Sequence, residues 1–322
     1  MHYQSLIYYR LNPDEFHAEY HKRLTGYGSF TANLSITPIQ KGQFSSQSEL
    51  PLFIVHIPEL FQLNEQIIAL SHKIETLANE LPNLAKTQYL NHLLINELQS
   101  TNEIEQVRST KKELTAILNQ QAPKNQKRFV GLVQMYQSFT QTEHFQLDAV
   151  ADFRTIYDQL VADDVTDDDQ LDGLLFRKES ITVMASTRAL HRGLTPETKI
   201  IEHLNHLILF MRDETVPILY RIMLMHYFFE YIHPFYDGNG RVGRYLLFQF
   251  LAQELDNFSA ISLAYTINKQ KATYYEIFEL ASHPHNQGEA TFFCLQMLDF
   301  LATGQQNILN DLTEKKQQMR NI

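Results

Sequence analysis

Apolar residues recur at intervals of three and four along most of the chain after residue 57, which is the spacing of an amphipathic helix. The run between Pro58 and Pro82 is the clearest, with apolar residues at Leu60, Leu63, Ile67, Leu70, Ile74 and Leu77. The same spacing predicts helices at about 84–99, 110–120, 127–139, 146–162, 196–210, 213–232 and 241–255. A helix bearing Tyr274 and Tyr275 follows, and a last apolar helix is predicted at about 290–302, before a polar tail that begins at Gly304.

Two segments depart from this helical spacing. Residues 1 to about 57 are mixed in character, with glycines interrupting short strand-like runs such as Leu52 to Ile57. Between residues 181 and 184, apolar and polar positions alternate, which is typical of a short strand. We therefore predict an all-α fold with a small β-hairpin and a mixed N-terminal extension.

One short segment carries the candidate chemistry. From residue 233 to residue 244 the chain reads His-Pro-Phe-Tyr-Asp-Gly-Asn-Gly-Arg-Val-Gly-Arg. Glycine and asparagine accept backbone angles that other residues resist, so the Gly-Asn-Gly part is predicted to be a turn that leads into a helix. The N–H groups at a helix start attract phosphate, and Arg241 and Arg244, three residues apart, can close on the same anion. An imidazole, a carboxylate, an anion cradle and two cations suit nucleotidyl or phosphoryl transfer.

The glycines of this segment also satisfy G-x-G-x-x-G, a dinucleotide-binding pattern that requires a short strand before it. The preceding segment, Asp213 to Ile232, is about 20 residues long and its apolar positions have helical spacing, so it is too long for an ordinary strand. We therefore set the dinucleotide-binding interpretation aside. A simple turn between two core helices would leave the aspartate and both arginines without explanation.

The segment resembles the signature of the Fic family of AMP-transferring proteins, H-P-F-x-D/E-G-N-G-R-x-x-R, and it fills every specified position. The resemblance implies that His233 is the general base that takes a proton from a protein hydroxyl. It also implies that Asp237 holds a magnesium ion that bridges the nucleotide phosphates. Histidine suits base catalysis near neutral pH, and magnesium is commonly held by one carboxylate together with substrate phosphates.

The same resemblance assigns further residues to the nucleotide. The anion hole of the family corresponds here to Gly238, Asn239 and Gly240. Arg241 would grip the phosphates, and Arg244 would meet the terminal phosphate of ATP. Tyr274 and Tyr275 match a Tyr-Tyr pair that borders the nucleotide base in many family members, with core packing as the equal alternative.

A second element lies upstream at Thr101 to Gln106, after a predicted helix that ends near Gln99. Fic proteins can carry an inhibitory helix with the motif S/T-x-x-x-E-G/N, and Thr101 and Glu105 match it. The resemblance implies that Glu105 forms a salt bridge with Arg244 and blocks the place of the terminal phosphate. Residue 106 departs from the motif, and a solvated helix end with ordinary surface acids is the alternative.

The resemblance also implies a β-hairpin flap at 181–194, on which a target protein would dock by main-chain pairing. An ordinary surface hairpin is the alternative. The expected ligands are ATP, as substrate, and Mg²⁺, and the expected partner is an unidentified protein target; self-modification and a homodimer stay open. The chain would divide into an N-terminal extension (1–90), a Fic catalytic domain (91–302) with the inhibitory helix near 95–106, and a polar C-terminal tail (303–322).

Two weaker metal patterns are set aside. His203-x-x-His206 lacks a third ligand at a recognised zinc-site spacing, so we expect helix-surface histidines. The segment from Asp168 to Glu179 nearly fits a calcium-binding loop, but Gln stands at its third position. We interpret Asp163 to Asp172 as a solvated acidic connector, and calcium binding there stays a minor alternative.

Composition narrows the class of protein. A chain of 322 residues, 44% of them hydrophobic, can bury one large core or two smaller ones. The net charge of −10 argues against general nucleic-acid binding and against an anionic membrane surface. A single cysteine, Cys294, excludes an internal disulfide framework. The most apolar stretch, Val216 to Ile232, contains Arg221 and Glu230, and the N-terminus has no signal-peptide pattern, so we expect a cytoplasmic protein without a membrane span.

We therefore predict a protein adenylyltransferase of the Fic type, which transfers AMP from ATP to a Ser, Thr or Tyr hydroxyl of a protein. Pairing of Glu105 with Arg244 would inhibit it. One alternative is a catalytically silent nucleotide-binding interaction module. The other is a Fic enzyme that uses another donor or removes AMP. The complete set of signature residues favours an enzyme.

Overall fold

The computed structural model describes residues 3–138, 145–185 and 188–320. The helices of these residues are α1 (Pro13–Leu24), α2 (Pro58–Asn79), α3 (Asn83–Ile104), α4 (Lys111–Leu118), α5 (Val130–Ser138), α6 (Val150–Leu160), α7 (Glu197–Met211), α8 (Ile218–Ile232), α9 (Asn239–Glu254), α10 (Asn257–Ala260), α11 (Leu263–Lys269), α12 (Lys271–Ser282) and α13 (Thr291–Arg320). The strands are β1 (Ser29–Ile36), β2 (Ile39–Gln40), β3 (Gln43–Phe44), β4 (Leu50–Val55), β5 (Thr182–Ala185) and β6 (Arg188–Arg192). The prediction of an all-α fold with a small hairpin is confirmed.

The segment before the Gly-Asn-Gly turn is helix α8, so the strand that a dinucleotide-binding turn requires is not there. Residue 139 of one predicted helix, residues 186 and 187 of the predicted flap, and residues 321–322 of the predicted tail lie outside the described residues. No helix in the described ranges is long and apolar enough to cross a membrane.

Two helix ends differ from the prediction. Helix α3 continues past Gln99 to Ile104, so Thr101 lies in its last turn instead of after it. Helix α13 continues past Gly304 to Arg320, so the predicted polar tail is helical as far as Arg320. A Cβ at residue 304 would lie 2.5 Å from Oγ of Ser262 and 2.9 Å from Oγ1 of Thr266, so this glycine permits close packing and does not end the helix.

The chain forms two compact units. The first comprises Met1–Leu63, Leu171–Tyr236 and Ala272–Met297. In it, β1 pairs antiparallel with β4, and β5 pairs antiparallel with β6 as a hairpin. Helix α8 is buried on nearly all its faces, because most of its residues are apolar or aromatic. A buried ion pair of 2.9 Å between Arg23 and Glu289 fixes α1 to the segment before α13.

The second unit comprises Asn64–Gln170, Asp237–Lys271 and Leu298–Ile322. Its apolar cluster is formed by α2, α3, α10 and the second half of α13, and its buried members are Ile74, Ala78, Leu81, Tyr89, Phe258, Ile308 and Leu312. Helix α9 is also largely buried. This burial surrounds the arginines of α9 with protein instead of solvent.

Helix α3 ends in a Schellman motif. The backbone N–H of Gln106 donates to the carbonyl of Glu103 at 3.1 Å, and that of Val107 donates to the carbonyl of Asn102 at 2.9 Å. Residue 106 has a φ of 60°, in the left-handed region that favours glycine or asparagine. The position at which this chain departs from the inhibitory motif is therefore the residue that terminates the helix.

Replacing Gln106 with Gly removes a Cβ from a left-handed residue. We expect the free energy of unfolding, measured with urea, to rise by about 0.5–1 kcal/mol. Gln88→Gly is the matched control, because Gln88 is exposed in the interior of α3. The free energy of unfolding of that variant should fall by about 0.5–1 kcal/mol. If Gln106→Gly is no more stable than the wild type, the proposed helix end is wrong.

Candidate active site

The signature segment crosses the boundary between the two units. His233 to Tyr236 belong to the first unit, and Asp237 to Arg244 belong to the second. His233 is the residue after α8, and its backbone is left-handed, with φ 52° and ψ 63°. Its N–H still donates to the carbonyl of Phe229 at 2.9 Å. The end of a rigid, buried helix therefore places the candidate base.

The imidazole of His233 is largely buried, with 14% of its side chain exposed. Its Nδ1 lies 3.3 Å from the carbonyl oxygen of Glu230 and 3.7 Å from the Oε2 atom of the same residue. The ring of His191 on β6 lies 6.0 Å away, centroid to centroid. When Nδ1 carries the proton, it donates to the Glu230 carbonyl, and Nε2 keeps a lone pair that can accept a proton.

Burial lowers the pKa of His233 well below its ordinary 6.5, and His191 and Arg177 lower it further. The same burial lowers the pKa of His191 to about 4. Both rings are therefore neutral at pH 7. A neutral imidazole is the form that a general base needs.

The Gly-Asn-Gly turn forms the start of α9 in the second unit. Gly238 is the N-cap, with φ 84° and ψ 0°, and Asn239 and Gly240 begin the helix. A Cβ at residue 238 would lie 2.9 Å from Cγ2 of Val161, so both the backbone angle and the space favour glycine. The first N–H groups of a helix have no intrahelical acceptor, and the helix dipole adds positive potential there. This turn can therefore bind an anion.

Arg241 is buried and lies between two carboxylates. Its Nη1 donates to Oδ2 of Asp164 at 3.1 Å, and its Nη2 donates to Oδ2 of Asp237 at 3.1 Å. Asp164 is itself buried, with 4% of its side chain exposed, and accepts from the backbone N–H of Phe129. Burial raises the pKa of Asp164, while Arg241 opposes that rise. The interpretation of 163–172 as a solvated connector is therefore wrong at Asp164.

Arg244 is also buried, and its partners lie at the end of α3. Its Nε donates to Oγ1 of Thr101 at 2.8 Å, and its Nη2 donates to the carbonyl of Thr101 at 3.0 Å. The same Nη2 donates to Oε1 of Glu105 at 2.7 Å. The two residues of the upstream motif therefore both bind the second arginine of the signature.

The carboxylate of Glu105 also lies against the first turn of α9. A Cβ built at Gly240 would collide with Oε1 of Glu105. Residue 240 must therefore lack a side chain for the carboxylate to come this close. The Glu105 carboxylate therefore lies at the start of α9, beside Arg244.

Glu97 lies on α3, two turns before Glu105, and was not predicted from the sequence to be part of the site. It is 1% exposed and accepts from the backbone N–H groups of Ala264 and Tyr265, each at 3.2 Å, where α11 begins. Burial raises its pKa to about 8, although those two N–H groups and Arg244 lower it. Ordinary helical spacing gives no signal for such a residue, because its partners lie more than 160 positions away.

The tyrosine pair lies on α12 in the first unit. Tyr274 is 3% exposed, and its hydroxyl is 2.7 Å from Nε2 of the buried His226. Tyr275 is partly buried, and the two tyrosine rings are 5.6 Å apart. The contacts of Tyr274 are those of a core residue. A role for either residue beside the nucleotide base stays a prediction.

No group of three or more His, Cys, Asp or Glu side chains that could hold a metal occurs among the described residues. Asp237 nevertheless fits a magnesium ion shared with phosphates, because 43% of its side chain is exposed next to the helix start. Magnesium commonly takes one carboxylate and keeps its other positions for phosphate and water.

The part of the chain that contains the signature is similar to a known protein family. Residues 146–251 match the Fic/DOC family, and this range includes the whole signature. A curated relative from Aquifex aeolicus (strain VF5), named a probable protein adenylyltransferase, is 46% identical over 41 residues. That alignment spans only 13% of this chain and 13% of the relative.

Solved structures share the fold at low sequence identity. A Fic family protein from Desulfovibrio desulfuricans G20 is 22% identical, with a TM-score of 0.64 over 79% of this chain and 75% of that one. Fic-1 (residues 134–508) from C. elegans is 16% identical, with a TM-score of 0.56 over 81% and 75%. A Fic-domain signaling protein from Bacteroides thetaiotaomicron is 15% identical, with a TM-score of 0.55 over 80% and 97%. Residues 146–251 therefore match the Fic/DOC family model, and the chain shares the fold of these solved Fic proteins.

The raised pKa of Glu97 predicts how stability depends on pH. A carboxyl whose pKa is about 8 when folded and 4.5 when unfolded stabilises the fold fully below pH 4.5, and this contribution is lost as the pH rises to about 8. The Glu97→Gln variant has no carboxyl group that can titrate at this position. Between pH 5 and pH 8, we expect the free energy of unfolding of the wild type, measured with urea, to fall by about 2–4 kcal/mol relative to that of this variant.

Glu103→Gln, at an exposed position of α3, is the control and should follow the wild type across the same pH range. Equal pH dependence of Glu97→Gln and the wild type would show that Glu97 titrates at its ordinary pKa.

Proposed function

We propose that this protein transfers AMP from ATP to a Ser, Thr or Tyr hydroxyl of another protein, and that Glu105 inhibits the transfer. The match of residues 146–251 to the Fic/DOC family and the complete signature support a transferase. The observation that carries the proposal is the carboxylate of Glu105, which binds Arg244 at 2.7 Å against the first turn of α9. A carboxylate at that place marks an anion site.

In the proposed reaction, Nε2 of His233 takes the proton of the target hydroxyl. The hydroxyl oxygen then forms a bond to the α-phosphorus of ATP, and the bond from that phosphorus to the oxygen bridging the α- and β-phosphates breaks. Pyrophosphate leaves with the bonding electrons. Transfer of this kind depends mainly on positioning and on charge neutralisation.

The residues of α9 hold the polyphosphate in this proposal. The N–H groups that follow Gly238 donate hydrogen bonds to phosphate oxygens, and Arg241 and Arg244 neutralise the charge that develops on the leaving group. Asp164 and Asp237 hold Arg241 on two sides, so its guanidinium has a fixed orientation before the nucleotide arrives. Asp237 would also hold magnesium, which supplies further positive charge at the phosphates when bound.

Glu105 inhibits by occupying one of these positions. A buried guanidinium binds one strong anion at a given donor, and a phosphate and the carboxylate compete for Nη2 of Arg244. Hydrogen bonds to charged groups contribute about 1.5–3 kcal/mol. Competition from the Glu105 carboxylate at Nη2 therefore weakens nucleotide affinity by about tenfold to a hundredfold.

The hairpin of β5 and β6 is the proposed docking surface for the target protein. Within the described residues β5 pairs only with β6, so its outer edge carries backbone groups that an extended segment can bind. The proposed compartment is the cytoplasm, where the one thiol, on the buried Cys294, stays reduced.

Labelled nucleotide tests the reaction. With ATP labelled at the α-phosphate, we expect label transfer to a protein substrate, and with ATP labelled at the γ-phosphate we expect none. His233→Ala should reduce transfer by about 10²–10⁴-fold, since it removes the general base. His206→Ala, an exposed histidine on α7, is the control and should retain activity. Label transfer that is unchanged in His233→Ala would exclude the proposed mechanism.

Glu105→Gly tests the inhibition. We expect transfer to rise by at least about tenfold and the Kd for ATP to fall, because Nη2 of Arg244 is released to the phosphate. Glu103→Gln removes a charge two residues away that does not contact Arg244, and it should behave as the wild type. A Glu105→Gly protein that binds ATP no more tightly than the wild type would show that the carboxylate does not compete.

A further inference from the structure

Arg177 is a buried cation in the first unit whose hydrogen bonds all go to carbonyl groups. It is 0% exposed. Its Nε donates to the carbonyl oxygen of His233 at 2.9 Å, and its Nη2 donates to that of Ile232 at 3.4 Å. Its Nη1 donates to the carbonyl of Glu179 at 2.5 Å. Among the described residues, no carboxylate forms an ion pair with it.

These bonds cap the C-terminus of α8 at the residue that carries the candidate base. The last carbonyls of a helix lack intrahelical donors and carry partial negative charge, so a cation binds favourably there. The backbone N–H of Arg177 also donates to the carbonyl of Pro234 at 3.3 Å. Arg177 therefore holds the carbonyls of three consecutive residues, from 232 to 234.

The held backbone is strained. A left-handed conformation costs a residue with a side chain about 1–2 kcal/mol, and His233 has φ 52° and ψ 63°. Such a conformation persists only where surrounding contacts fix it. The contacts from Arg177 are of that kind, because they bind the carbonyls on both sides of the His233 Cα.

We propose that Arg177 is a positioning residue for His233: its guanidinium fixes the left-handed backbone and keeps a permanent positive charge beside the imidazole. The inference rests on the proposed function in one respect, namely that His233 acts as the base. The side chain itself does not touch the reacting atoms in this proposal. It acts through the orientation and the protonation state of its neighbour.

The groups that face the imidazole explain what the charge does. They are Arg177 from the segment before β5, His191 from β6 and Glu230 from α8. Burial, His191 and Arg177 lower the pKa of His233, while the backbone carbonyl of Glu230 raises it. The pKa of Arg177 is itself lowered to about 10 by burial, so the guanidinium stays charged at neutral pH. A fixed cation at this position favours the neutral imidazole.

Gly193 makes room for this arrangement. A Cβ at residue 193 would collide with Nη2 of Arg177 and would lie 3.1 Å from both the central guanidinium carbon and Cβ of His233. The glycine after β6 therefore lets the guanidinium pass beside the histidine. A side chain there would push apart the two groups that the proposal couples.

Two substitutions separate charge from hydrogen bonding. Arg177→Gln keeps N–H donors for the carbonyls but removes the charge, and Arg177→Lys keeps the charge but loses the planar set of donors. The measurement is the titration of His233 by NMR with labelled histidine, beside the pH profile of kcat. In the Gln variant, we expect the midpoint of the His233 titration and the acid limb of kcat to rise by about one pH unit or more.

In the Lys variant, we expect both midpoints to stay near those of the wild type. KM for ATP should change by less than about twofold in either variant, because the proposed phosphate ligands lie at residues 238–244. A purely structural role would lower the thermal stability without moving the titration. A folded Arg177→Gln protein whose His233 titrates as in the wild type would overturn the proposal.

If Arg177→Gln does not fold, Gly193→Ala replaces it, since the added methyl displaces the guanidinium while the charge remains in the chain. The His233 midpoint should again rise, and an unchanged midpoint would again overturn the inference. The NMR titration needs no substrate. If the wild type transfers no AMP while the midpoint shifts as expected, the proposed function fails and the positioning role stands.

Discussion

The guanidinium of Arg244 must have an anion or polar oxygens around it, and most of the site follows from that need. The residue is 2% exposed, and an uncompensated charge at such a position costs about 3–5 kcal/mol. Thr101, in the last turn of α3, supplies two oxygens, and Glu105, the C-cap of the helix, supplies a carboxylate. The end of α3 is therefore bound to α9 by the same cation that the proposed function assigns to a phosphate.

Several details are consistent with a carboxylate standing where a phosphate would bind. Gly240 lacks the side chain that would exclude Glu105, and a phosphate group needs the same space. Glu105 is the C-cap of α3, and Gln106, the left-handed residue of the Schellman motif, follows it directly, so this carboxylate extends from a fixed backbone. Arg241 is held in a similar way by Asp164 and Asp237. Both arginines thus have carboxylate partners.

The parts of the site whose structure depends on neighbouring residues in the chain could be predicted from the sequence. The turn and the start of α9 follow from Gly238, Asn239 and Gly240, because few other residues accept that backbone. Helical spacing found α8 and α9, since each buries apolar residues over several turns. The resemblance to the Fic family added the pairing of Glu105 with Arg244, which periodicity cannot reveal.

Contacts between distant parts of the chain could not be predicted from one sequence. Asp164 lies in an acidic run that is typical of a solvated loop, yet it is buried against Arg241. Arg177 precedes an ordinary hairpin pattern, and two of its partners are the backbone carbonyls of Ile232 and His233, which its own sequence position gives no means to predict. The last helix was predicted to end near residue 302, with a polar tail beginning at Gly304, because the close approach of Ser262 and Thr266 to this glycine is a tertiary feature. In each case, contacts between residues far apart in the sequence determine the local structure.

A crystal structure of the wild-type protein with a non-hydrolysable ATP analogue and magnesium tests the central claim most directly. The account predicts that the polyphosphate lies against Gly238, Asn239 and Gly240, and that a terminal phosphate oxygen binds Nη2 of Arg244. The Glu105 carboxylate would have moved away from Arg244. A bound triphosphate elsewhere, with the 2.7 Å contact between Glu105 and Arg244 intact, would contradict it.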